Sequence, residues 1–336
     1  MLYQHKGFLY YNINEDCSYF NNIKFTNCNG GERVKNVTKL LLIFTALIII
    51  VTGCTNTKAP GEKGQEIISA QKALNTISKE NVILVDAQKS SAYEKGHIKG
   101  AVNISRNDIT TFGPFPNMLA SGDKIEKTLS ENGISNNSKI IVYDNNNNMD
   151  AARFWWTLKL YGHKNVKVVS GGLKALLGEG ANKSTKTPEV SKGQYKVQDK
   201  NKDMIATKEE VKSEINNPQE DVVLLDTRSQ EEYNRGTIPD SIHFNYVNNN
   251  YDDGTYRPVR QIHTLYRDKG ITPEKTVIMY CKTSIRAAQT YIALYNAGYR
   301  KLKIYDGAWI EWSSDTSLPV QIPDNTEVET NFQDGS

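Results

Sequence analysis

Short apolar runs separated by polar or amphipathic segments make up most of residues 66–320. Runs at 139–143, 166–169, 276–280 and 302–305 are rich in aliphatic residues, and they predict buried strands. Segments with a helical period follow several of these runs. Strands that alternate with helices predict an α/β fold with mainly parallel sheets.

The same pattern occurs twice. The segments 84–87 (LVDA) and 93–104 return as 224–227 (LLDT) and 233–244, with one constant offset (226 − 86 = 140). A repeat of this length predicts two copies of one folding unit.

We therefore predict two domains, 66–183 and 203–323, each a mainly parallel sheet flanked by helices. The polar segment 184–202 between them predicts a linker. The capping-box sequence from Thr207 to Glu210 predicts the start of the second domain's first helix.

Composition adds little to this picture. The chain has 336 residues, 38% of them hydrophobic, and a net charge of +3, which is ordinary for a globular protein of two domains. Without a basic stripe, so mild a charge gives no support for nucleic-acid binding. Residues 324–336 are polar and predict a loose tail.

The N-terminal region carries a targeting signal. A basic stretch at 35–39 precedes an apolar run at 40–51 that is too short to span a bilayer, and small residues follow it. This predicts a signal peptide over 34–53. Cys54 after Thr-Gly resembles the lipobox of bacterial lipoproteins, which implies lipidation of Cys54, a tether over 54–65 and a plasma-membrane anchor on the extracytoplasmic face. A plain signal anchor is the alternative.

Residues 1–33 fit no targeting pattern and contain Cys17 and Cys28. The Gly-Gly-Glu-Arg sequence before Val34 is what a purine-rich ribosome-binding site would encode, so we expect residues 1–33 not to be translated. Cys281 would then be the one free thiol of the mature protein. An unpaired thiol in an oxidising compartment indicates chemistry rather than packing.

Cys281 lies between the apolar run 276–280 and a helical pattern that begins at Arg286. A strand–loop–helix turn directs backbone N–H groups and the helix dipole at the cysteine, and Lys282 and Arg286 add positive charge. Because these features favour the thiolate, the sequence predicts that Cys281 is a nucleophile. A small buried apolar residue is the alternative interpretation.

The first copy has Asp144 at the position of Cys281. A carboxylate cannot replace a sulfur nucleophile, so we predict a non-catalytic first domain that is structural or shapes the substrate site. Its predicted helix at 150–160 contains Trp155 and Trp156. These tryptophans are candidates for an apolar wall between the domains or for the first domain's own core.

Together these features resemble the tandem-domain rhodaneses, which are thiosulfate sulfurtransferases of the bacterial type. The resemblance covers nearly all of residues 66–320 and implies a site between the domains. Besides the repeated Asp-led segments, it rests on four motifs: Ala151-Ala152-Arg153-Phe154-Trp155-Trp156 with Gly162-His163, Tyr280-Cys281 with Arg286-Ala287-Ala288, Tyr305-Asp306-Gly307-Ala308-Trp309-Ile310-Glu311-Trp312, and Leu318-Pro319-Val320.

The resemblance implies that the Cys281 thiolate takes the outer sulfur of thiosulfate, releases sulfite and passes the sulfur to cyanide or a thiol, including a thiol of an acceptor protein. It implies no metal and no organic cofactor. The implied donor-binding residues form the loop after the cysteine: Lys282, Thr283, Ser284, Ile285 and Arg286. Asp226 and Arg228 match a pair that braces the site, with a purely structural ion pair as the alternative.

Ser284 departs from the family, which usually has glycine there, and the position can require a backbone conformation that is costly for other residues. Serine keeps the side chain small and adds a hydroxyl that could contact the donor.

Three rival functions follow from the same residues. A phosphatase or arsenate reductase needs five residues between its cysteine and arginine, whereas four intervene here. A 3-mercaptopyruvate sulfurtransferase is disfavoured by the charges of Lys282 and Arg286. A lipid-anchored persulfide carrier or anion-binding module with little turnover is the alternative outside enzyme catalysis. The scattered histidines His97, His163 and His243 predict no metal site.

Overall fold

The computed structural model of the protein describes residues 65–78 and 81–323. None of the helices in these residues is long and apolar enough to cross a membrane. Several of the predictions above concern segments that lie outside the described residues: 1–33, the signal peptide 34–53, Cys54, most of the tether 54–65, and the tail 324–336.

The first domain alternates strands and helices, as the sequence predicts. Its elements in chain order are β1 (Ile67–Ile68), α1 (Ala70–Ile77), β2 (Val82–Asp86), α2 (Ser90–Tyr93), β3 (His97–Ile98), β4 (Val102–Asn103), α3 (Arg106–Ile109), β5 (Thr110–Thr111), β6 (Met118–Leu119), α4 (Gly122–Glu131), β7 (Lys139–Tyr143), α5 (Met149–Leu160), β8 (Val166–Val169), α6 (Gly172–Gly178) and β9 (Lys183–Ser184).

The second domain repeats this order with fewer small strands. Its elements are β10 (Ile205–Ala206), α7 (Lys208–Asn216), β11 (Val222–Asp226), α8 (Gln230–Asn234), β12 (Ile242–His243), α9 (Val259–Arg267), β13 (Thr276–Tyr280), α10 (Ile285–Asn296), β14 (Leu302–Tyr305) and α11 (Ala308–Ser314), with short 3-10 helices at Lys202–Met204 and Tyr246–Asn249.

Each domain contains a five-stranded parallel sheet within the described residues. The strand order is β1-β8-β7-β2-β4 in the first and β10-β14-β13-β11-β12 in the second, so the topology is the same. The register also repeats, because Asp86 lies opposite Tyr143 and Asp226 lies opposite Tyr280. The predicted α/β class, the parallel sheets and the four predicted strands are confirmed.

Local capping signals place the helices where the sequence predicts them. The Thr207 hydroxyl accepts from the Glu210 N–H at 3.2 Å, and the Glu210 carboxylate accepts from the Thr207 N–H at 3.0 Å. This reciprocal pair satisfies two N–H groups that a helix start would leave unpaired. The predicted start of the second domain's first helix is therefore confirmed.

The polar segment 184–202 crosses the surface of the first domain as an extended strap. Its backbone N–H groups donate to first-domain atoms at Gly193 (to Ser130 O, 2.8 Å) and Asn201 (to Leu160 O, 2.9 Å). The Tyr195 ring is buried. These bonds hold the linker against the domain and fix the distance it can span.

One apolar core extends through both domains and forms where α5 packs against α10. The Trp155 ring lies 5.3 Å from the ring of Tyr295 and 6.1 Å from that of Tyr291, between ring centroids. Its indole N–H donates to the Glu66 carboxylate at 3.0 Å. Trp155 is thus part of the wall between the domains, as one of the two interpretations of this helix proposed.

Trp155→Ala is expected to lower the free energy of unfolding by about 3–5 kcal/mol, the usual loss for a buried tryptophan. Because Trp155 lies in the core where the two domains pack together, the variant should unfold in urea in two resolved transitions, one for each domain. Trp312→Ala is the control, since Trp312 is equally buried but lies in the second domain's own core. It should lose comparable stability in a single transition, and two transitions in the control would contradict the assignment.

Candidate active site

Cys281 follows β13 directly, at the carboxyl edge of the second sheet. Its side chain is 1% exposed, and it is the one free cysteine in the described part of the chain. The Cys281 carbonyl accepts from the Trp309 N–H at 2.9 Å, and the Lys282 carbonyl accepts from the Ile310 N–H at 3.2 Å. The start of α11 therefore fixes the first two residues of the cysteine loop.

The predicted donor-binding residues have different surroundings. Lys282 is exposed, and no salt bridge in the described residues involves it. Thr283 is half-buried, and its hydroxyl accepts from the Asn117 side-chain N–H at 3.1 Å. Ile285 is buried in the core, so only its backbone N–H can face the loop.

Ser284 is the residue for which the sequence expected a backbone constraint, and it adopts φ 65° and ψ −3°, the left-handed region. Its buried hydroxyl lies 2.7 Å from the Asp306 carbonyl oxygen and 3.0 Å from that of Tyr305, and it donates to these acceptors. The hydrogen of this hydroxyl is therefore directed to carbonyl oxygens of the chain itself. The hydroxyl anchors the loop, because buried carbonyl oxygens require a hydrogen-bond donor and Ser284 supplies one.

Arg286 faces both the cysteine and a carboxylate that the sequence reading did not assign to the site. Its guanidinium donates to both oxygens of Glu232, one of them at 2.8 Å, and this interaction lowers the pKa of Glu232 to about 2. Burial acts to lower the pKa of Arg286, but Glu232 and the Cys281 sulfur raise it, and the net pKa is above its usual value. Arg286 is therefore held beside the thiol with much of its charge neutralised.

The first domain shows what the corresponding loop does with an anion. The Asp144 carboxylate accepts four backbone N–H groups, from Asn146 (3.0 Å), Asn148 (3.0 Å), Asp150 (2.8 Å) and Ala151 (2.9 Å). Burial, and then the charge of Asp150, raises the pKa of Asp144 to about 6. The carboxylate thus remains mostly ionised at neutral pH inside a cradle of N–H groups.

The two loops share their backbone construction. Asn148 (φ 65°) precedes α5 as Ser284 (φ 65°) precedes α10, and the Asp144 carbonyl accepts from a following helix as the Cys281 carbonyl does. The cysteine loop is one residue shorter, residues 281–284 against residues 144–148. By this correspondence we expect the N–H groups at the start of α10 to face the Cys281 side chain, as those at the start of α5 face Asp144.

Asp226 and Arg228 form a buried ion pair below the loop. The Arg228 guanidinium donates to Asp226 at 2.9 Å and to the Gly236 carbonyl at 2.6 Å, and it lies 4.3 Å from the centre of the Trp309 ring. Because the Trp309 N–H holds the Cys281 carbonyl at 2.9 Å, the pair supports the cysteine loop through Trp309.

Besides Glu232, three residues near the loop were missed as site residues. Asn117 and Arg153 come from the first domain, and Asp306 follows β14 in the second. The Arg153 guanidinium donates to the Asp306 carboxylate at 2.7 Å. Arg153 and Asp306 lie within the motifs that carry the family resemblance, but nothing in those motifs indicates that they pair with each other.

The described residues contain no group of three or more histidine, cysteine or acidic side chains placed to hold a metal. His97, His163 and His243 lie apart, each with a ring nitrogen within 3.2 Å of a backbone carbonyl oxygen. They are part of the packing of their domains.

The fold and the loop define a two-domain α/β protein whose second domain carries a cysteine loop at the carboxyl edge of its sheet. Comparison with known protein families identifies the family of this chain, because the model of the rhodanese-like domain matches residues 69–179 and 207–315. The chain belongs to the rhodanese family, with two copies of its domain.

Two curated relatives illustrate the similarity. A protein of Saccharopolyspora erythraea, provisionally named a thiosulfate sulfurtransferase, is 28% identical over 276 residues, which is 76% of this chain and 96% of the relative. The sulfur carrier protein TtuD of Thermus thermophilus is 29% identical over 247 residues, 68% of this chain and 86% of that protein.

Solved structures share the fold at low sequence identity. SseA of Escherichia coli, described as a 3-mercaptopyruvate sulfotransferase, is 22% identical with a TM-score of 0.66, over 73% of this chain and 98% of its own. EanB in a persulfide state with ergothioneine is 20% identical with a TM-score of 0.71, over 79% and 72%.

Substitutions at Ser284 should separate the hydroxyl from the backbone conformation. Ser284→Ala removes the hydrogen bond and keeps the left-handed backbone, so unfolding free energy should fall by about 1–3 kcal/mol. Ser284→Gly also removes the bond but relieves a backbone cost of about 1–2 kcal/mol, so its stability should stay within about 1 kcal/mol of the wild type. Urea unfolding of both variants checks this, and equal losses would contradict it.

Proposed function

We propose that this protein is a sulfurtransferase that moves the outer sulfur of thiosulfate to cyanide or a thiol through a persulfide on Cys281. The observation that carries the proposal is the position of this cysteine at the start of its loop. The corresponding loop of the first domain holds the Asp144 carboxylate with four N–H groups. The family membership and the provisional names of the relatives support it.

The first half-reaction joins the Cys281 sulfur to the outer sulfur of thiosulfate. The bond between that sulfur and the sulfonate sulfur breaks, and its electron pair leaves with sulfite. The persulfide that remains carries a negative charge on its outer sulfur. Backbone N–H groups at the start of α10 stabilise this charge without reorganising, as such donors do at developing anions.

The second half-reaction is attack of the acceptor on the outer sulfur. With cyanide, a carbon–sulfur bond forms, the sulfur–sulfur bond breaks, and thiocyanate and the Cys281 thiolate result. A thiol acceptor, free or on a partner protein, would take the same sulfur and leave as a persulfide. The relative named a sulfur carrier supports an acceptor of this kind.

The charges at the site favour an anionic donor. Lys282 is exposed beside the loop, and Arg286 faces the thiol although Glu232 neutralises much of its charge. A dianion such as thiosulfate gains most from the remaining positive charge. 3-Mercaptopyruvate as donor, or a carrier with slow turnover, would leave the same cysteine chemistry in place, and both are outcomes of the following experiment.

Intact-mass measurement of protein from residue 54 onward, with Cys54→Ser, should show a gain of one sulfur atom after thiosulfate and its loss after cyanide. Cys281→Ser should show no gain. A gain with 3-mercaptopyruvate alone would reassign the donor, and a persulfide that forms but is not turned over would favour the carrier. No gain with either donor would contradict the proposal.

We further propose that Cys54 carries a lipid that anchors the protein on the extracytoplasmic face of the plasma membrane. The signal-like residues 34–53 before Cys54 support this. Expressed from Val34 in a bacterium with lipoprotein processing, the protein should fractionate with membranes, and Cys54→Ala should abolish lipid labelling of the chain. Labelling that persists in Cys54→Ala would contradict the assignment.

A further inference from the structure

The first domain contacts the cysteine loop through an unbroken set of hydrogen bonds. The Asn117 side-chain N–H donates to the Thr283 hydroxyl at 3.1 Å. The Arg153 guanidinium donates with the same nitrogen to the Asn117 carbonyl at 3.1 Å and to the Asp306 carboxylate at 2.7 Å. The Leu119 N–H donates to the other oxygen of Asp306 at 2.7 Å.

Asp306 connects the first domain to the cysteine loop. While its carboxylate binds the first domain, its carbonyl accepts from the buried Ser284 hydroxyl at 2.7 Å. Ser284 is held in the left-handed conformation, which is strained for a residue with a side chain. The backbone at Ser284 sets the direction of the next N–H groups, which begin α10. The first domain is thus linked to both Thr283 and Ser284.

Arg153 is an unusual stabiliser for an interface. Its side chain is 0% exposed, and its Nε and Nη1 have no hydrogen-bond partner in the described part of the protein. A buried ion pair usually stabilises only when most of its donors are satisfied. This guanidinium, which stacks on the Trp156 ring at 4.6 Å, uses one nitrogen for all its bonds. With only one of its nitrogens hydrogen-bonded, Arg153 is better suited to fixing the position of the Asp306 carboxylate than to stabilising the domain interface.

We propose that Asn117 and Arg153 of the first domain are positioning residues for the cysteine loop, acting through Thr283 and Asp306. The non-catalytic domain thereby sets the geometry in which Cys281 forms and keeps its persulfide. This proposal rests on the proposed function for its kinetic readout, and the contacts on which it stands do not depend on the identity of the donor.

The test compares Asn117→Ala and Arg153→Met with Lys159→Met. Lys159 lies on the same helix as Arg153 and forms an ion pair with Glu66 at 3.1 Å, but it does not contact the loop. Because both residues are proposed to act through the loop, kcat for persulfide formation from thiosulfate should fall by on the order of tenfold to a hundredfold, with KM little changed. Lys159→Met should keep the wild-type kcat.

Arg153→Lys should recover part of the loss, since an ammonium can still donate to Asp306. Thermal unfolding of each variant measures its stability separately. If Arg153→Met fails to fold, Asn117→Ala decides together with Asn117→Gly. Both changes remove the side-chain hydrogen bond to Thr283, and glycine adopts the left-handed backbone of Asn117 (φ 66°) without strain. Equal losses of kcat in Arg153→Met and Lys159→Met, or a wild-type kcat in Asn117→Ala, would overturn the proposal.

A donor-independent readout separates this proposal from the proposed function. The rate of alkylation of Cys281 by iodoacetamide at neutral pH should fall several-fold in Asn117→Ala and Arg153→Met and stay unchanged in Lys159→Met. If the wild type forms no persulfide with thiosulfate, the proposed function fails, while this alkylation pattern still supports positioning. Alkylation at the wild-type rate in both positioning variants would overturn the positioning proposal alone.

Discussion

The packing of α5 against α10 is the contact on which the rest of this molecule depends. Each of these helices follows the central strand of its own sheet. The loop between strand and helix begins with Asp144 in the first domain and with Cys281 in the second. Trp155 lies against Tyr291 and Tyr295, so the apolar sides of both helices are buried in one shared core. Because the helix axes are fixed by this packing, the loops before them are fixed as well, and side chains of one domain reach the loop of the other.

The repeat shows one backbone design used for two purposes. The strand–loop–helix turn collects N–H groups at the helix start, and something negative must occupy that place or the donors remain unpaired. In the first domain the Asp144 carboxylate fills it from within the chain and accepts four of these N–H groups. In the second domain the buried thiol of Cys281 stands at the corresponding position. The two domains also differ in the side chain that binds the aspartate at the end of the strand. In the first domain the Gln88 amide donates to Asp86 and to the Gly96 carbonyl. In the second, the Arg228 guanidinium donates to Asp226 and to the Gly236 carbonyl.

Sequence reasoning predicted those parts of the molecule that local chemistry controls. The aliphatic runs marked the strands, the Thr207 capping box marked a helix start, and the glycine expected at Ser284 signalled a left-handed backbone that the structure contains. Asn117 and Arg153 could not be assigned to the site, because their partners are more than a hundred residues away and are selected by packing of the domains. Glu232 was hidden for another reason. Its capping bond to Ser229 already explains its presence, and its second role toward Arg286 appears only in three dimensions.

The electrostatics of the site follow from this arrangement. Positive side chains around the cysteine were expected to attract the donor, yet Glu232 binds Arg286 through both carboxylate oxygens. In the first domain four neutral N–H groups hold the Asp144 carboxylate, while burial, and then the charge of Asp150, raises its pKa to about 6. Backbone dipoles of this kind are fixed and do not need to be desolvated when the anion forms. In the proposed mechanism, therefore, the N–H groups of the cysteine loop would hold the sulfur anion, and the Arg286–Glu232 pair would fix the shape of the loop. Lys282, which is exposed, would be the charge that a dianionic donor meets first.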